Sequence, residues 1–148
     1  MASIVQGLTT GLKYLTLTGE LNFGATQTYK IALYTDAADL SPGNTDTVYS
    51  TTNEVVGAGY TAGGNDLVVA DPGFSFEPVV GYVSFGNTSW PSSTFTARGA
   101  VIYRNTGGNG LKYTVAVLDF GSNVTANNNT FNVTFPPDNA TEALIRFE

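Results

Sequence analysis

Apolar and polar positions alternate most clearly over residues 28–35, where Tyr29, Ile31 and Leu33 interleave with Thr28, Lys30, Ala32 and Tyr34. A period of two is the mark of a strand, because successive side chains point to opposite faces. Residues 94–104 and 111–120 also read as strands, and the Thr106-Gly107-Gly108-Asn109-Gly110 string between them is turn chemistry, so the pair predicts a hairpin. Further strands are expected at 66–70, at 74–85 with a break near Pro78, at 130–135 and at 143–147. Ile31, Leu33, Val101, Tyr103, Val115 and Val117 are expected to point inward. The first residues follow another period. Val5, Leu8, Leu12 and Leu15 recur at spacings of three and four, which predicts a helix over 3–18 that Gly19 would end. Its leucine stripe reads as core, or alternatively as a face for a partner.

Seven or eight strands with turn signals every ~8–12 residues point to an antiparallel sandwich or barrel. The expectation is a mainly β, single-domain antiparallel β-sandwich with a short N-terminal helix. Residues 1–27 would form a helical arm and 28–148 the β core of one 1–148 unit. Between strands, 36–65 is a long irregular segment carrying Ser41-Pro42-Gly43-Asn44 and Gly57, Gly59, Gly63 and Gly64. Structureless stretches of that length inside a domain are usually functional or disordered.

Composition narrows the chemistry. The 148-residue chain has no cysteine and no histidine, which excludes disulfides, thiolate ligands and the commonest general base. Six basic against twelve acidic residues give a net charge of −6, a poor match for a phosphate backbone, so no nucleic-acid partner is expected. No apolar run approaches the ~18 residues of a membrane span, and the N-terminus lacks the basic start and cleavage site of a signal peptide. Synthesis in a cytoplasm, without a membrane partner, is the expectation. Charged residues make up only 12%, replaced by Thr, Asn, Ser and Gly, which suits a neutral β surface or one that faces other protein.

Specific constellations are few. The Gly-rich strings lack both GxxxxGK[ST] and GxGxxG, so they read as loop geometry. No spacing singles out a carboxylate pair for glycoside hydrolysis among Asp36, Asp39, Asp46, Glu54, Asp66, Asp71, Glu77 and Asp119. Calcium at Asp36, Asp39, Asn44 and Asp46 would lack the 12-residue loop spacing. No catalytic residue, cofactor or metal is expected. Five Asn-x-Ser/Thr sequons, at Asn87, Asn123, Asn128, Asn132 and Asn139, fit chance in an Asn- and Thr-rich chain. Trp90 and Tyr82 would be the aromatics for carbohydrate binding, and read better as core. Arg98 sits mid-strand, where a cation needs a partner. It would pair with Asp119 on the next strand or anchor an interface.

Several strings carry a resemblance together: Tyr29-Lys30-Ile31-Ala32-Leu33-Tyr34-Thr35; Asn53-Glu54-Val55-Val56-Gly57-Ala58-Gly59-Tyr60-Thr61-Ala62-Gly63-Gly64; Thr96-Ala97-Arg98-Gly99-Ala100-Val101-Ile102-Tyr103; Val117-Leu118-Asp119-Phe120-Gly121; and Thr130-Phe131-Asn132-Val133-Thr134-Phe135. In this order they resemble a family of small structural proteins of tailed-bacteriophage virions. The likeness covers about residues 28–135, and the Asn53–Gly64 string is its most specific part. It implies virion structure rather than catalysis. The expected role is head decoration, a homo-oligomer (a trimer in the first instance) bound to the major capsid protein or another virion protein on the capsid surface. A tail-tube or fibre-associated role, with 36–65 as an arm, is the alternative, and host carbohydrate binding a lesser one. The expected interface residues are Asn53, Glu54, Tyr60, Thr61 and Arg98. Tyr60 would be the aromatic anchor of a loop ordered by contacts between copies, or would fold onto its own sheet.

Overall fold

The computed structural model describes residues 2–24, 26–43, 48–106 and 110–148. The chain is mainly β with one short helix, in two antiparallel sheets that share a core, as expected for a sandwich. Strands β1 (Gly7–Leu8), β2 (Thr28–Tyr34), β3 (Asn65–Leu67), β6 (Thr88–Thr106) and β7 (Thr114–Val133) form the larger sheet in the order β1-β7-β6-β2-β3. Strands β4 (Gly73–Phe76), β5 (Val79–Val83) and β8 (Ile145–Phe147) form the smaller one, in the order β4-β5-β8.

The predicted N-terminal helix is half as long as its stripe suggested. Helix α1 (Thr10–Leu17) begins where the Thr9 hydroxyl caps the Leu12 amide at 3.2 Å, and ends at Gly19 with φ +73°. The residues before it are extended. Ile4 bridges Leu40, and Gly7 and Leu8 pair with Val117 and Ala116. Their apolar spacing fits a helix, but sheet pairing captures the backbone at Gly7 and Leu8. Leu12 and Leu15 are fully buried, while Val5 is exposed.

A further correction concerns the strands. The 111–120 and 130–135 strands are parts of one strand, β7, which pairs with β6 from Tyr103↔Thr114 to Thr88↔Val133. Gly121, at φ +82°, sits in an irregularity of β7. There the register slips between Ala97↔Val124 and Gly99↔Asp119, leaving residues 120–123 opposite Arg98. The slip keeps Phe95 and Ala97, then Ala100 and Ile102, in the same core cluster. Over 74–85 the break expected near Pro78 is present, and it is a reversal that makes two paired strands, β4 and β5. Glu77-Pro78 turns the chain back, pairing Phe76 with Val79. Gly107, Gly108 and Asn109 of the predicted turn lie outside the described residues.

The six expected core positions are all buried, but not on one side. Ile31, Leu33 and Val115 join Phe85, Trp90, Phe95, Phe131 and Ile145 between the sheets. Val101, Tyr103 and Val117 face the other way, under Ile4, Ala38 and Leu40. The larger sheet is covered on both faces, which is why β2 is apolar at nearly every position.

Candidate protein interface

The 52–64 loop closes the edge of the larger sheet. Glu54 bridges Tyr34 of β2 beyond the end of β3, and Ala58 bridges Thr94 of β6. Close approach is what the glycines permit. A Cβ on Gly57 would lie 2.6 Å from the Thr94 carbonyl oxygen, and one on Gly64, at φ +74°, only 1.7 Å from that of Ile31.

Glu54 is the hub. It is buried, no ion pair to its carboxylate occurs among the described residues, and three donors hold it. Oε1 accepts from the Tyr60 hydroxyl at 2.6 Å and the Gly63 amide at 2.7 Å, and Oε2 from the Tyr49 hydroxyl at 2.7 Å. Such charge-assisted bonds are what make a buried carboxylate tolerable. The Tyr60 hydroxyl in turn accepts from the Leu33 amide at 2.9 Å. Its ring lies against Phe95 and Trp90, with centroids at 5.6 and 6.0 Å. Tyr49 stacks on Tyr103 at 4.3 Å, and the Tyr103 hydroxyl donates to the Gly63 carbonyl at 2.7 Å. Burial and the bond to Glu54 push the Tyr60 and Tyr49 phenols well above the usual range. Burial, then the Glu54 charge, pushes Tyr103 up to about 12.

The five expected interface residues therefore part company. Glu54 and Tyr60 are bound within the chain, with Tyr60 folded onto its own sheet, the second of its two readings. Asn53 is exposed but adopts φ +60°, its carbonyl accepting from the Thr35 amide and its side chain donating to the Ala37 carbonyl. Thr61 is exposed. Arg98 is half-buried and pairs with Asp119, as one of its two readings held. That bond, followed by the Gly121 amide, holds the Asp119 carboxyl below the usual range. Trp90 is buried, and half-buried Tyr82 flanks Gly73.

No trio of metal-ligating side chains occurs among the described residues. Asn44 and Asp46 of the considered calcium set lie outside them, and Asp36 accepts from Asn123 at 3.0 Å. No described helix is long and apolar enough to cross a membrane.

A surface the sequence reading missed lies on the 68–86 hairpin. Val69↔Phe85, Phe74↔Gly81 and Phe76↔Val79 face each other across it, and Gly81↔Phe147 and Val83↔Ile145 extend the same face to β8. Its root, with Val83, Phe85 and Ile145, is in the core. Its outer part is bare: Phe74 is 72% exposed, Phe76 78%, Val79 76% and Phe147 47%. The two β4 rings touch edge to face at 5.4 Å. Beside them a groove of about 320 Å³ runs between Leu21–Gly24 and Gly81, Val83, Ile145 and Phe147. The alternation Phe74-Ser75-Phe76 is visible in sequence, but which face goes uncovered is decided by the turn at Pro78. Comparison with protein-family models, curated proteins and solved structures gave no match to this chain.

Proposed function

We propose that this chain is a non-enzymatic structural protein of a tailed-phage virion, and specifically a head decoration protein that binds the assembled capsid lattice and stabilises it. The observation that carries the reading is the resemblance centred on the Asn53–Gly64 string. Its residues Glu54, Tyr60 and Gly63 meet in one hydrogen-bonded hub, so the string works as a unit in this fold. A chain without histidine or cysteine, with 12% charged residues, also fits a part that works by contact. Each bound copy would stabilise the shell by mass action.

A tail-associated role is the second reading, and one feature favours it. Tail subunits reach neighbouring rings with projecting hairpins, and the 68–86 hairpin ends in a bare apolar tip. The 36–65 segment first considered for that arm is, where described, stitched to the sheet at Leu40, Val48, Glu54 and Ala58. Quantitative mass spectrometry of purified particles separates the two. Hundreds of copies per particle, lost with a fall in head stability, is the expected result. Six or twelve copies retained on isolated tails would overturn it.

A further inference from the structure

We propose that the chain self-associates about a two-fold axis by antiparallel pairing of its β4 edges, which brings the bare phenylalanines of two copies into one apolar cluster. β4 is bonded to β5 on one side only, so its other edge offers unpaired backbone groups. Edge strands are normally blunted by charge, proline or brevity. β1 has two residues, β3 has three and carries Asp66, and β8 has three and carries Arg146. β4, Gly73-Phe74-Ser75-Phe76, has no charge and no proline within it.

Register follows from parity. Pairing must shift in steps of two to keep both copies' phenylalanines on one face. Of the registers that do so, only the one centred on Ser75 sets Phe74 opposite the other copy's Phe76 and uses both rings of each strand. The two three-stranded sheets then become one of six.

A second copy is the occupant the surface fits. Phe74, Phe76, Val79, Gly81, Val83, Ile145 and Phe147 make up this face without a charge, so a charged partner finds no complement on it, and the acidic Asp71 and Glu77 lie beyond the two ends of β4. The bare parts of Phe74, Phe76 and Val79, the residues beside the β4 edge, amount to roughly 400 Å² of apolar surface per copy. A stable interface buries about 800 Å² per partner. Apolar centre and four-residue β4 edge supply part of that area, which suits a reversible monomer–dimer equilibrium.

The test is sedimentation of the full chain over about 1 to 100 µM, and it does not depend on the virion reading, which copy number tests separately. The wild type should show a monomer–dimer equilibrium, and Phe76→Glu should weaken it by at least about 100-fold with unchanged circular dichroism. Because the chain has no cysteine, Ser75→Cys supplies a single thiol that should link two copies under mild oxidation, whereas Val124→Cys should not. A wild type that stays monomeric overturns the proposal, whether or not it binds lipid vesicles or another virion protein. So does a dimer indifferent to Phe76→Glu, or one that Ser75→Cys does not link.

Discussion

The 52–64 loop and the 68–86 hairpin follow each other in the chain and treat their aromatic side chains in opposite ways. In the loop, Tyr60 has both ring and hydroxyl engaged inside the molecule, and a buried carboxylate holds it there. In the hairpin, Phe74 and Phe76 touch each other and little else. The loop is irregular yet fixed, whereas the hairpin is regular yet incomplete. Backbone regularity says where hydrogen bonds go. Whether a surface needs a partner depends on where the side chains end.

The largest effect expected from breaking this contrast is at Gly64. Ala there puts a methyl group into the Ile31 carbonyl and forces φ +74° on a residue with a Cβ. Gly64→Ala should destabilise by at least about 3 kcal/mol, read as a lower urea midpoint. Gly81→Ala on the hairpin meets nothing within 4 Å and should stay within about 0.5 kcal/mol of wild type.

Tyr60 comes next. Were the loop ordered only between copies, Tyr60→Ala would leave the melting temperature of the isolated chain unchanged. The hub instead predicts a loss of about 3–4 kcal/mol for Tyr60→Ala and about 1–2 kcal/mol for Tyr60→Phe, which keeps the ring but orphans one lone pair of Glu54. Thermal unfolding of both variants checks the split.

Much of the β pattern was legible because it is local. Residues 28–35 carry their own alternation and β2 lies there, and the 94–104/111–120 pair marks where β6 and β7 pair, though both strands run well beyond it. Legibility failed where long-range pairing outvoted local pattern. Val5 and Leu8 share a helical spacing with Leu12, but β7 and Leu40 were there to pair with. The Arg98–Asp119 pair was readable from the sequence, but nothing near Gly121 announces that one strand runs on through the irregularity, with Asn123 bonded to Asp36. At the candidate site, the glycines and Glu54 marked the loop as special without saying that its bonds would close inward. A string that needs such residues to fold looks the same, on paper, as one that needs them to bind.

Alkali should separate the regions by chemistry. The Tyr60, Tyr49 and Tyr103 phenols ionise less readily in the folded chain than an ordinary tyrosine, whose pKa is 10.0. Their contribution is complete below pH 10 and is lost as pH rises toward the folded values, about 12 for Tyr103. Above pH 10 the unfolded chain releases these protons first, so stability should fall. Tyr60→Phe should fall less steeply. A denaturant midpoint independent of pH between 10 and 12 would mean that the hydroxyls are not held as described.

The smallest effect on the isolated fold should come from the hairpin's own phenylalanines. Replacing Phe74 and Phe76 with serine removes rings that are 72% and 78% exposed, so the monomer should lose less than about 1 kcal/mol. The informative quantity is the dependence on protein concentration. A folded dimer that unfolds to monomers melts higher as concentration rises, because association favours only the folded state. The wild type should show that rise, and Phe74→Ser with Phe76→Ser should abolish it while leaving the dilute melting temperature nearly in place. A double variant that melts far lower even when dilute would show the rings to be part of the monomer's own core, and the contrast between loop and hairpin would disappear.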